Sequence, residues 1–172
     1  MNASLTFPLE WGALHVLVIH FPIAILCVVP LFIILGLFLK NRTFLLAALL
    51  LLILGILSIF LAVSTGESSS ERIQEGPAII ETLNRHDALA WQSRTFFSVM
   101  TLLYATLFFW ESRRLSKINR QLPRILFVCF LLFYGYGLWL IFKTAYYGAM
   151  LVHRHGVHSS LHEIFLIPSG QK

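Results

Sequence analysis

Seven histidines carry most of the chemistry open to this 172-residue chain. His15 and His20 lie in the stretch LHVLVIHFPIA, His86 in LNRHDALAW, and His153, His155, His158 and His162 in LVHRHGVHSSLHE. A neutral imidazole nitrogen ligates iron, copper or zinc. Five residues of helix turn through about 140°, so His15 and His20 point to different faces and do not grip one ion together. Each would ligate separately, or one would ligate while the other hydrogen-bonds nearby. Pro22 has no N–H, leaves the Val18 carbonyl unpaired and loosens the helix around both rings. His155, His158 and His162 would share one helical face, and His153 and His155 would share a face if extended. Gly156 works against a continuous helix through that cluster. Copper or zinc is what such a tail would bind. The chain has no Gly-rich phosphate loop, no G-x-S-x-G and no H-E-x-x-H, and no acid pair at a catalytic spacing, so whether it is an enzyme stays open.

The elements that must position these rings are membrane helices. The chain is 58% hydrophobic and 12% charged with a mean hydropathy of +0.79, against about 45–50% and about 25% for soluble domains. Four stretches are long enough for a bilayer core of about 30 Å: about 13–39, 44–63, 89–110 and 124–149. The reading is one all-α domain over 1–172, an antiparallel four-transmembrane-helix bundle with a His-rich C-terminal tail at 150–172. No Lys or Arg precedes Lys40, so the first span lacks the basic start of a cleavable signal and is read as retained. The piece AIIETLNRH is read as a short interfacial helix, and Gly55, Ser58 and Ala62 as a small-residue stripe for close packing. Cys27 and Cys129 are read as small apolar core residues, and neither belongs to C-x-x-C-H.

Basic residues set the orientation. Lys40, Arg42, Arg113, Arg114, Lys117, Arg120 and Arg124 fall on one side, against Arg72, Arg85, Arg154 and Lys172 on the other. This places both termini on the periplasmic side of a bacterial inner membrane. The pI near 9.6 needs no nucleic acid, because the basic loops are explained by topology.

With that topology all seven histidines fall at the outer face. His20 and His86 are the expected ligands of a haem iron held between two helices, with His15 and His155 as further cofactor-binding candidates. Arg94 and Lys143 lie just inside their spans, where they would meet porphyrin propionates. Tyr134, Tyr136, Trp139, Phe142, Tyr146 and Tyr147 read as a packing stripe and interfacial belt. The leading expectation is a cytochrome b-like, b-type haem subunit of an electron-transport complex. It would pass electrons near the outer face between quinone or a partner cytochrome and a periplasmic acceptor. The alternatives are a cofactor-free anchor subunit of a membrane redox or photosynthetic complex, and an outer-face copper or zinc protein using the tail.

The sequence also resembles a family of bacterial four-helix membrane proteins, domain of unknown function 2231, with an opening motif of the form HPxxVHFPIAL. LHVLVIHFPIAIL matches that motif, STGESS resembles its T-G segment, LNRHDALAW its loop histidine, and YYGAMLVHRHGVH its closing segment. Val16 replaces the usual proline, Ala149 the second glycine, His153 a common tyrosine and His158 a glycine. The matching positions are His15, His20 and His86, joined by His155. The resemblance implies a membrane protein suspected of binding haem or serving redox chains, and it supplies no established activity.

Overall fold

The structure, a computed structural model, describes residues 11–70, 76–113 and 122–156. Among these residues five helices run in order: α1 (Trp11–Val18), α2 (His20–Phe38), α3 (Arg42–Ser70), α4 (Pro77–Arg113) and α5 (Leu122–His153). Helices α1 and α2 are one span, Leu14–Phe38, interrupted at Ile19. The interruption follows from Pro22, which cannot donate to Val18. Ile19 keeps helical backbone angles and donates to the His15 carbonyl at 3.0 Å, so the axis is carried through.

The α1–α2 span, α3, α4 and α5 each run antiparallel to the next. Going up the first hairpin, Gly36 faces Leu45, Gly55 faces Leu26 and Gly66 faces His15. In the second, Tyr104 meets Phe127, Phe97 meets Tyr134, and Gly148 faces His86. The Tyr104 hydroxyl donates to the Leu45 carbonyl at 3.0 Å and joins α4 to α3. The Tyr134 hydroxyl donates to the Leu26 carbonyl at 2.9 Å and closes α5 onto α2. That second bond has a specific cause: Pro30 lies four residues after Leu26 and has no N–H, so Tyr134 supplies the missing donor. Leu26 and Tyr134 are both 0% exposed, where an unpaired carbonyl would be costly.

The turn between α2 and α3 is compact. Lys40 adopts a left-handed φ of 51°, and the Asn41 N–H reaches back to the Gly36 carbonyl at 3.1 Å. The Asn41 side chain then accepts from the Thr43 N–H at 2.9 Å, capping α3.

The chain is thus an all-helical membrane protein. Among the described residues three helices are long and apolar enough to cross a bilayer by length and composition: Leu14–Phe38, Arg42–Ser70 and Ile125–His153. Helix α4 is long but mixed, with Glu81, Arg85, Asp87 and Arg94 in its first half. Further along it Ser98, Thr101 and Thr106 each donate to the carbonyl four residues back, at 2.7–2.8 Å. This is how hydroxyls are tolerated away from water.

Three expectations change. AIIETLNRH is no separate interfacial helix but the first turns of α4, which starts after Gly76 (φ 50°) with Pro77 at its first position. Helix α3 continues through STGESSS to Ser70 rather than ending at 63. Cys27 and Cys129 are exposed rather than in the core, on the outward faces of α2 and α5.

Candidate functional site

His15 and His86 meet at one end of the bundle, their ring centroids 6.4 Å apart and their planes at 88°. Each ring is fixed in the same way. His15 Nδ1 donates to the Ala62 carbonyl of α3 at 2.9 Å, with the Thr65 hydroxyl 3.2 Å away. His86 Nδ1 donates to the Thr144 carbonyl of α5 at 2.9 Å. A carbonyl can only accept, so both Nδ1 atoms carry the proton and both Nε2 atoms carry the lone pair of the neutral ring. Among the described residues no hydrogen bond reaches either Nε2.

A glycine completes each seat. Gly66 follows Ala62 by one helical turn, and Gly148 follows Thr144 by one turn. A Cβ at Gly66 would lie 3.0 Å from His15 Cε1, and one at Gly148 would lie 3.1 Å from His86 Cε1. The missing side chains let each imidazole lie on the facing backbone. The two hairpins therefore repeat one device: a histidine on the first helix, a carbonyl on the second, and a glycine one turn beyond it.

Hydroxyls line the surroundings. Thr65 is buried and donates to the Leu61 carbonyl at 2.9 Å. Thr144 donates to the Leu140 carbonyl, so its oxygen is left to accept from buried Ser93 at 3.4 Å. Asp87 follows His86 along α4 and is half-buried. Burial pushes its carboxyl above the ordinary range, His86 pulls it down, and Glu67 of α3 adds to the rise.

The expected His20–His86 pair does not form, and His15 takes its place. His20 is exposed, and its Nδ1 bonds the Val16 carbonyl of its own helix at 2.9 Å. The helical offset between the two rings turns His15 toward α3 and leaves His20 facing outward. Arg94 and Lys143 are not joined to the pair either. The Arg94 guanidinium lies 3.4 Å from the Trp91 ring centroid and 5.2 Å from that of Phe60. Lys143 is exposed, its Nζ 5.8 Å from the Trp139 ring.

Of the expected tail cluster, His153 and His155 lie within the described residues. Thr82 gives its proton to the Ala78 carbonyl at 2.9 Å, so His155 Nε2 donates to the Thr82 oxygen at 3.1 Å. His155 thus ties the tail to the first turns of α4 through Nε2, which leaves its lone pair on Nδ1. His153 is exposed in the last turn of α5, and the helix ends before Gly156 (φ 68°), which interrupts the helical face expected through His155. His158 and His162 lie outside the described residues. Among the described residues no group of three or more His, Cys, Asp or Glu side chains could hold a metal ion.

In the aromatic set, Tyr134 is core, while Tyr136, Trp139, Phe142 and Tyr146 are exposed. Tyr136 and Trp139 stack at 5.5 Å. Sequence reasoning missed Ala62, Thr65 and Thr144, because a backbone acceptor leaves no mark in side-chain chemistry. The glycines after them, in STGESS and YYGAM, were the available signal.

The family model described as "Predicted membrane protein (DUF2231)" matches residues 12–161. The chain belongs to that family. The DUF2231 match takes in both hairpins, with His15, His86, their carbonyl partners and both glycines. Neither the curated proteins nor the solved structures compared with this DUF2231 member gave a match.

Proposed function

We propose that this protein is a membrane electron-carrier subunit in which His15 and His86 hold the iron of a b-type haem. The observation that carries this reading is the pair of imidazoles 6.4 Å apart, each with Nδ1 anchored to a carbonyl and Nε2 without a hydrogen bond among the described residues. Two imidazoles on one first-row metal need about 2.0 Å per metal–nitrogen bond and ~1.1 Å more to each ring centre, which agrees with that separation. The Nδ1–carbonyl bonds are the outer-shell contacts that orient a ligating histidine and raise its basicity.

The number of ligands favours haem over a bare ion. Zinc takes four protein ligands in a closed site, and the described residues offer two. A porphyrin brings four nitrogens of its own and asks the protein for two. When bound, the haem would supply one-electron chemistry, and the chain's part is to fix two ligands in a low-dielectric setting. The polar neighbours Thr65, Ser93 and Thr144 are bonded among themselves or to backbone, so they hold the rings in place.

In this reading the bundle crosses a bacterial inner membrane four times, with α4 as the least apolar span and both termini periplasmic. The basic residues between α2 and α3 and between α4 and α5 support that orientation. The histidine pair then lies near the outer face. Electrons would pass between quinone or a partner cytochrome and a periplasmic acceptor, inside a larger complex, because a single site at one side cannot carry charge across the whole bilayer.

A second reading rests on its own observation. The two Nδ1–carbonyl bonds join residues 47 and 58 positions apart and tie helix to helix. They would serve equally in a cofactor-free anchor subunit. Replacing each histidine separately and recording a reduced-minus-oxidised spectrum separates the two. Loss of a haem signal with the fold intact supports ligation, and loss of assembly with no haem signal in the parent supports the anchor.

A further inference from the structure

Arg94 has a setting that the histidine pair does not explain. It lies on α4 two turns deeper than His86, about 12 Å along the helix axis. Its guanidinium rests on the Trp91 ring at 3.4 Å and reaches toward Phe60 of α3 at 5.2 Å. Among the described residues it has no ion pair and no side-chain hydrogen bond. The nearest carboxylates along these two helices are Asp87 and Glu67. Each lies seven residues nearer the histidine end, about 10 Å from the level of Arg94 and Phe60.

The two aromatic rings that flank the guanidinium are themselves exposed, Trp91 by 49% and Phe60 by 46%. Both are on the surface of a bundle whose exposed side chains are chiefly apolar, which is the surface that meets lipid. A cation there carries a large cost unless an anion meets it. Contact with an aromatic face offsets part of that cost and leaves the N–H edge of the guanidinium open. That edge has the fork geometry that matches phosphate oxygens. Trp is also a residue that settles at headgroup level, and Trp91 stands near the start of the 89–110 stretch.

We propose that Arg94, seated on Trp91 and Phe60 in the α3–α4 groove, binds the phosphate of an anionic membrane lipid. The chemistry recognised is a phosphate oxygen pair, and the membrane position selects a headgroup rather than free phosphate as its source. Lys143 on α5 differs, since its ammonium is exposed and further from its Trp139 ring, and it presents a point charge without a fork.

Native mass spectrometry of the full-length protein, released from nanodiscs of mixed phosphatidylglycerol and phosphatidylcholine, tests this. The wild type is expected to retain phosphatidylglycerol over phosphatidylcholine. Arg94→Gln should lower that enrichment about five-fold, as expected for one basic residue near the surface. Arg94→Lys should keep part of it and Lys143→Gln most of it. Arg94→Lys also serves if Arg94→Gln does not fold, because loss of the fork alone should reduce enrichment. Adding inorganic phosphate at millimolar concentration should not strip the lipid. Equal retention of the two lipids by the wild type, or unchanged enrichment in both Arg94 variants, would overturn the proposal. Displacement by free phosphate would assign the site to a soluble anion and overturn the lipid assignment. None of these outcomes depends on whether haem is bound.

Discussion

The two hairpins share one histidine device but are held together by different means. The first, α1–α2 with α3, is mainly aliphatic: Leu26, Val29, Ile33, Leu45, Leu49 and Leu52 are among its buried residues, and glycines allow leucines to approach. It also carries two backbone defects, at Pro22 and Pro30, and a tight turn that forces Lys40 to positive φ. The second, α4 with α5, is aromatic: Phe97, Tyr104, Phe127, Phe130 and Tyr134 form one chain of ring contacts. The ring contacts are expected to make the aromatic hairpin the stiffer half, and both Tyr104 and Tyr134 donate to carbonyls of the first hairpin. Two unlike halves thus hold two like histidines at a fixed distance.

That contrast can be broken at matched positions. Gly137→Ala places a Cβ 2.6 Å from Phe96 Cε1 and 2.8 Å from Phe97 Cζ, and two rings cannot both yield. A loss of about 1–3 kcal/mol is expected, read as a lowered unfolding midpoint in detergent. Gly36→Ala in the first hairpin meets the Leu45 side chain at 2.6 Å (Cδ2) and 2.8 Å (Cγ), which can turn aside, with the Leu45 backbone N further off at 3.2 Å, and should cost less. An equal cost at both would erase the proposed difference in stiffness. Tyr134→Phe should cost about 1–3 kcal/mol, because it strands the Leu26 carbonyl that Pro30 cannot serve. Tyr104→Phe removes a bond to Leu45, whose carbonyl retains its position inside a regular helix, and should cost about 0.5–1.5 kcal/mol.

Smaller effects separate the two histidine seats. Asp87 directly follows His86 of the second. Its carboxyl is held above the ordinary range, so the folded state takes up its proton more readily than the unfolded chain does. Its contribution to stability is therefore greatest below the usual carboxylate range and is lost as pH rises through the folded value. Asp87→Asn should raise the unfolding midpoint at neutral pH, with the gain fading on acidification. A gain that grows on acidification would reverse the assignment. Lys40→Gly relieves the left-handed conformation at the first hairpin's turn and should add about 1 kcal/mol at most, offset by the greater freedom of glycine in the unfolded chain.

Hydropathy made the helical membrane architecture legible, and the alternation of basic loops suggested an orientation. The facing of individual helices was not legible. In lipid both the core and the outer surface are apolar, so a helical wheel of α2 or α3 carries little contrast. This is why Cys27 and Cys129 were expected inside yet lie outside. It is also why spacing could separate the faces of His15 and His20 without saying which face looks inward. Depth in the span argued for His20, whereas the structure packs His15 against Gly66 and leaves His20 exposed. His86 was legible as the lone histidine ahead of α4. Its partner Thr144 was not, because the bond is made by a main-chain oxygen.

The central claim is that His15 and His86, and not His20, hold a haem iron. The most direct test is the reduced-minus-oxidised absorption spectrum of the purified full-length protein beside its His15→Ala, His86→Ala and His20→Ala variants, each checked for helical content. The account predicts a b-type Soret and α-band in the wild type and in His20→Ala, and their loss in His15→Ala and His86→Ala with helicity retained. A folded wild type with no Soret band and no iron would contradict it, as would a spectrum lost on replacing His20 alone.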